Sequence, residues 1–179
     1  MTRKQSAKRL SNALYSVSEQ NNVLEPVHRS LIMVNELVKT ESEFRAFVQS
    51  KRIKGKAKVT ILNAVMGDAG HPLVSELLSY LKGSESAAIF RDITDMFNRR
   101  YKAAKNIVSV IGTVANDMSS DEKSSLKSAL DQILGKDTDL TLDVDTSVIG
   151  GIRLRIENTF LDATVQNQLQ TLKAELLQS

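Results

Sequence analysis

Apolar side chains recur at helical spacing through the first hundred residues, and the polar interruptions between them divide that half of the chain into segments. Leu10, Ala13, Leu14 and Val17 stand at i, i+3, i+4 and i+7 and predict a first helix with one apolar stripe. Asn21 and Asn22 interrupt it. Asn22 with Glu25 reads as a capping box for a second helix carrying Leu24, Val27, Leu31, Val34 and Val38, in which Pro26 is tolerated because it falls in the first turn. Thr40 and Glu43 suggest another box before a short third helix through Phe44, Phe47 and Val48. A fourth helix carries Val59, Leu62 and Met66, widened by Ile61 and Val65 and stopped by Gly67 and Gly70. His71 and Pro72 open a fifth, with Val74, Leu77, Leu78 and Leu81 repeating at i, i+3, i+4 and i+7 before Gly83. Phe90, Ile93, Phe97, Tyr101 and Ala104 mark a sixth.

Near Asn106 the period changes from helix to strand. Val108, Val110 and Val114 alternate with Ser109, Ile111 and Thr113, and Gly112 is placed at a bulge. Ser119 and Glu122 form a capping box for a helix with Leu126, Leu130, Ile133 and Leu134, closed by Gly135. Leu140, Leu142 and Val144 alternate in a second strand, and Ile152, Leu154 and Ile156 in a third that follows the sharp entry at Gly150 and Gly151. Phe160 and Leu161 form a short apolar patch. Asp162, read as an N-cap, opens a last helix with Val165, Leu169, Leu172 and Leu176. The expected fold is mainly α with a small α/β part: a six-helix bundle over 1–105, then a domain of about three strands and two helices over 106–179.

Composition narrows the chemistry. The 179 residues are 41% hydrophobic and 25% charged, the mixture of an ordinary water-soluble protein, and aromatics at 4% leave the cores to Leu, Val, Ile and Ala. Without cysteine there is no disulfide framework, thiolate metal site or thiol nucleophile. No apolar run approaches the roughly 20 residues that span a bilayer. A net charge of +3 is too small to imply a nucleic-acid partner by itself.

The side-chain constellations favour structural readings. Gly150 and Gly151 lead into a strand, and no phosphate-loop motif exists. His28 and His71 lack the spacing of zinc ligands and suit surface or capping roles. Asp137, Asp139, Asp143 and Asp145 lack the glycine and terminal glutamate of a calcium loop; they are expected on a wet sheet face near Arg153 and Arg155. Lys51, Arg52, Lys54, Lys56 and Lys58 could contact phosphate, yet no aromatic platform interleaves with them, so a solvated turn is the better reading. Neither a cofactor nor a catalytic or metal site is expected.

The order of motifs resembles a known family. Asp145, Ser147, Gly150, Gly151, Arg155, Asp162, Thr164, Leu169 and Leu172 look like the C-terminal signature of the delta subunit of F-type ATP synthases, whose mitochondrial counterpart is the oligomycin-sensitivity-conferring subunit. Ala163 and Thr164 stand where that pattern has Gly-Ser. At the front, the run Arg9, Leu10, Ser11, Asn12, Ala13, Leu14, Tyr15 is similar to the family's Arg-Tyr-Ala-x-Ala-Leu-Phe, departing at Leu10 and Ser11. The middle segment from Phe44 to Lys58 and Leu62 also matches, with Ser50 and Lys51 replacing Asn-Pro, and Ser86 replaces a common arginine.

The resemblance implies a non-catalytic stator subunit that links the catalytic alpha/beta head to the b subunits of the peripheral stalk and resists rotational torque during proton-driven ATP synthesis. It implies that helices 1 and 5 form a groove for the N-terminal helix of an alpha subunit, which points to Leu10, Ala13, Leu14 and Val17 with Val74, Leu77, Leu78 and Leu81. The b-subunit side would involve Val165, Leu169, Leu172 and Leu176. Membrane association would come only through the complex. The expected place is the cytoplasmic face of a bacterial inner membrane rather than an organelle, since no transit peptide is seen. The competing readings are a basic helical module binding nucleic acid through 51–58 and a small enzyme with an unrecognised site.

Overall fold

The fold was obtained as a computed structural model, which describes residues 3–178. It is mostly helical with one small mixed sheet, and it divides into two compact units, Met1–Tyr101 and Lys102–Ser179.

The first unit is built from α1 (Arg3–Gln20), α2 (Leu24–Thr40), α3 (Ser42–Gln49), α4 (Gly55–Met66), a single 3-10 turn (Gly67–Ala69), α5 (Pro72–Tyr80) and α6 (Ser86–Ala104). Val27, Leu31, Val34 and Val38 form the buried ridge of α2, and Phe90, Ile93, Phe97 and Tyr101 that of α6. The Tyr15 ring of α1 tilts against Phe97 with centroids 5.4 Å apart. In α1 the buried positions are Ala7, Ser11, Leu14, Tyr15 and Ser18, a stripe rotated away from the one hydropathy draws. Serine can lie inward because its hydroxyl is satisfied locally: Ser18 Oγ donates to the Leu14 carbonyl at 2.7 Å.

Helix ends depart from expectation where the backbone supplies its own solution. Asn22 caps no following helix. It takes a left-handed φ of 56°. The amides of Asn22 and Val23 then donate back to the Glu19 and Ser18 carbonyls at 3.1 and 2.9 Å, closing α1 as a Schellman motif. Thr40 likewise caps nothing ahead of it; its Oγ1 donates to the Glu36 carbonyl at 3.0 Å. Two cations terminate helices from the side. Arg45 donates to the Val38 and Lys39 carbonyls at the end of α2. Lys58 Nζ, on α4, donates to Val48 of α3 at 2.5 Å and to Leu81, the C-cap of α5, at 3.0 Å. Each puts positive charge where carbonyl dipoles leave partial negative charge.

The second unit carries β1 (Ile107–Val114), α7 (Ser120–Leu134), β2 (Asp137–Val144), β3 (Gly151–Ile156), β4 (Thr159–Thr164) and α8 (Val165–Gln178). The sheet order is β2-β1-β3-β4, parallel between β1 and β2 and antiparallel elsewhere. α7 makes the crossover that parallel neighbours require, and the core lies between it and the sheet: Val108, Val110, Leu130 and Leu154 are buried, with Leu126, Leu134, Leu140, Ile152 and Ile156 packed on them. The Ser119 and Glu122 capping box forms as expected, and Gly135 closes α7 in the left-handed region.

Three details correct the expectation. Among the described residues the sheet has four strands, because the patch at Phe160 and Leu161 belongs to β4, paired to β3 through Arg155↔Phe160 and Leu154↔Leu161. Gly112 sits at no bulge: register runs unbroken on both sides of it, and a Cβ there would meet Leu142 Cδ2 at 2.6 Å. The acids of β2 itself do not adjoin Arg153 and Arg155, since β1 lies between; Asp145, just past the strand, does feel Arg153, which after the Ser147 hydrogen bonds helps to hold its carboxyl below 3.8. Asp139 pairs with Lys102 and Asp137 with Lys127, while Arg153 pairs with Asp162 at 3.2 Å.

Candidate docking surfaces

Position along α1 and α5 separates the candidate groove residues into two groups. On α1, Ala13 and Val17 are exposed and Leu10 is half-buried, while Leu14 points into the core. The apolar stripe read from hydropathy is thus largely an outward ridge, because the inward face is taken by Ala7, Ser11, Leu14, Tyr15 and Ser18. On α5 the outcome is opposite. Val74 and Leu78 are fully buried, and Leu77 and Leu81 keep only 7% and 6% of their surface. These four are core residues that fix α5, and its outward positions are Glu76 and Tyr80.

The start of α5 is set by His71. Its Nδ1 accepts the Leu73 amide at 3.3 Å, Pro72 occupies the first helical position, and burial lowers the imidazole pKa below 6.5, favouring the neutral acceptor. His28 stacks on Tyr101 with centroids 4.0 Å apart and meets Asn98 Oδ1 at 2.8 Å. Both histidines are structural. No group of three or more His, Cys, Asp or Glu able to hold a metal occurs among the described residues.

In the second unit the signature residues converge on the base of α8. Asp162 lies in β4 and is not its N-cap. Its Oδ1 accepts from Thr164 N at 3.0 Å and Thr164 Oγ1 at 2.6 Å, and Thr164 Oγ1 in turn accepts the Asn167 amide at 3.3 Å. The hydroxyl that caps α8 is therefore Thr164, aimed by Asp162. Those Thr164 hydrogen bonds, with Arg153 beyond, hold the Asp162 carboxyl below 3.8. The Val165 amide donates to the Gly150 carbonyl at 3.1 Å. Gly151, at φ 81°, leaves no room for a Cβ beside the Ala163 carbonyl oxygen, so glycine is required for β3 to reach β4.

This joint presents an apolar ridge to solvent. Val165, Leu169, Leu172 and Leu176 are all exposed, Leu172 at 55% and Leu176 at 77%. Ile149, Val165, Leu169 and the stem of Lys173 enclose a hollow of about 230 Å³ with Gln166 and Gln170 at its rim. Ile149, 76% exposed, is not among the predicted site residues, because two adjacent apolar residues before a Gly-Gly pair do not tell which of them is buried, and here Val148 is.

One of the five cations of the basic stretch 51–58 is withdrawn from solvent. Lys58 is fully buried, with its ammonium spent on the two helix ends and 5.9 Å from the Phe47 ring. No helix among the described residues is long and apolar enough to cross a membrane.

Comparison with known proteins identifies the family. The family described as "ATP synthase delta (OSCP) subunit" matches residues 7–176. Similar relatives include "ATP synthase subunit delta" of Hyphomonas neptunium, 28% identical over 93% of this chain and 92% of that one. "ATP synthase subunit delta, sodium ion specific" of Ilyobacter tartaricus is 28% identical over 96% of this chain and 98% of its own. A chain in the cryo-EM structure of the Toxoplasma gondii mitochondrial ATP synthase hexamer shares the fold, with a TM-score of 0.59 at 23% identity over 96% of this chain and 97% of that one. The chain belongs to the ATP synthase delta (OSCP) subunit family, whose members are non-catalytic, structural subunits of the F-type ATP synthase.

Proposed function

We propose that this chain couples the catalytic alpha/beta head to the b subunits through its two units, the first gripping the N-terminal helix of an alpha subunit and the second the end of the stalk. The observation that carries the reading is that each unit bears its own outward apolar ridge: Leu10, Ala13 and Val17 on α1, and Val165, Leu169 and Leu172 on α8. An amphipathic helix recognises such ridges at i, i+3, i+4 and i+7 anchors. In this reading α1–α6 act as one six-helix bundle over 1–105, with 106–179 as the second domain. The partner rests on the α1 ridge and on the edges of Leu14, Leu77 and Leu81, while Val74 and Leu78 hold the α5 wall from behind. Joining two contacts in one chain raises the effective concentration of each, so the link outlasts either contact under torque. The place of action is the cytoplasmic face of a bacterial inner membrane, reached through the complex.

The test is calorimetric titration of the full chain with a synthetic peptide from the N-terminus of an alpha subunit and, separately, with one from the C-terminal end of a b subunit. Val17→Asp abolishes binding of the first and leaves the second intact; Leu169→Asp does the reverse. Leu77→Asp is no substitute for Val17→Asp, because it buries a charge in the core. If Val17→Asp binds the alpha peptide as the parent chain does, the α1 ridge is not the seat; if the parent chain binds neither peptide, the linking role fails.

A further inference from the structure

A third surface, distinct from both ridges, lies where α1 runs beside α6. Lys8 and Asn12 on α1 and Met96, Arg99 and Arg100 on α6 line a cleft of about 420 Å³. Among the described residues none of these three cations is in an ion pair. Asp92, one turn before Met96, is already taken by Arg3 at 2.9 Å. Arg99 Nε reaches only the Asp95 backbone carbonyl at 3.4 Å.

Arg100 makes two side-chain contacts of its own. Its guanidinium carbon lies 4.0 Å from the centroid of the buried Tyr15 ring, and Nη1 stands 3.5 Å from Asn12 Oδ1. The ring contact holds the guanidinium in place and leaves its remaining N–H groups to donate to a planar oxyanion. Met96, half-buried at the floor, supplies an adaptable apolar contact between the charges.

We propose that this cleft is a docking seat for an acidic amphipathic helix of a partner protein, its carboxylates set by Arg99, Arg100 and Lys8 and its apolar residues on Met96. Charge complementarity and the apolar floor together select that occupant: guanidinium forks favour carboxylates two at a time, and the floor rewards side chains that a free ion or a lipid headgroup lacks. The proposal goes beyond the linking role and does not depend on which subunits fill the two ridges.

The experiment is fluorescence anisotropy of the full chain with a labelled helical peptide bearing glutamates at i and i+4 beside a leucine face, with a glutamine-for-glutamate copy as control. The acidic peptide binds, and its affinity falls as salt is added. Arg100→Gln weakens it about tenfold. Because Arg100 also covers Tyr15, the pair Lys8→Gln with Arg99→Gln, at two exposed positions, is measured as well and weakens binding by a similar factor. Any of three results overturns the proposal: equal affinity for the double variant, equal affinity for the glutamine peptide, or displacement of the peptide from these residues by inorganic phosphate or phosphatidylglycerol vesicles in preference to it.

Discussion

Lys58→Met is the sharpest probe of how the first unit is held together. The side chain is fully buried and its ammonium donates to the Val48 and Leu81 carbonyls, the unsatisfied ends of α3 and α5. Methionine keeps the aliphatic bulk and removes the donors. Two buried carbonyls then lose their partner, at about 1–3 kcal/mol each. Against this, the variant no longer has an ammonium to desolvate, a relief smaller than the loss of the two charged hydrogen bonds. Desolvation, reinforced by the nearby Lys82, lowers the Lys58 pKa from 10.5, so part of the loss is returned.

The net expectation is destabilisation by about 2 kcal/mol, because methionine cannot replace the two donors. The pH dependence has a definite sign. Above the lowered folded pKa the native lysine sheds its proton while the unfolded one keeps it up to 10.5, so the unfolded state binds more protons and wild-type stability from this group rises across that window. The difference between wild type and variant therefore widens as pH climbs toward 10.5. Urea titrations followed by circular dichroism at a series of pH values measure both quantities. A variant as stable as wild type at neutral pH, or a difference that stays flat with pH, refutes the double-cap account.

Three further substitutions examine the second unit. Gly151→Ala forces a side chain onto the Ala163 carbonyl at a φ of 81°; thermal melts should show a loss of about 3 kcal/mol or more, since the obstacle is backbone. Gly112→Ala meets the ends of the Leu142, Leu154 and Ile152 side chains, which can turn aside, so the same melts should register about 1–3 kcal/mol. Ser119→Ala removes the side-chain half of the capping box and costs about 1 kcal/mol. The Ser119 hydroxyl, followed by its amide, holds Glu122 below 4.5, so this stabilisation is present above 4.5 and lost as pH falls through the lowered folded value. Acid titration of the variant should show a shallower limb than wild type.

What the sequence determined by itself is local. The Ser119 and Glu122 box, the stop at Gly135, the start at His71 and Pro72, and the strands around Val110 and Leu154 are written within a few residues of where they act. Caps and period-two alternation are short-range physics, and they survive into the fold unchanged. The signature from Asp145 to Leu172 also pointed to the family, while the residue type at Asp162 suggested the cap of α8 that the hydroxyl of Thr164 performs.

Which side of each element meets a neighbour was decided only by the tertiary structure. Hydropathy drew the α1 stripe through Val17 because it counts serine as polar, yet Ser11 and Ser18 lie inside; the Ser18 hydroxyl bonds to its own helix, which makes its burial cheap, and the small size of serine favours close packing. It left Lys58 in a basic surface turn, since a charge can be buried only when distant carbonyls converge on it, and Val48 and Leu81 come from two other helices. It missed β4 because the two-residue turn puts Glu157, not glycine or asparagine, at a positive φ of 51°, and the strand exists through its pairing with β3. Each of these depends on atoms far away in sequence, and periodicity along one segment carries no record of what will lie across from it.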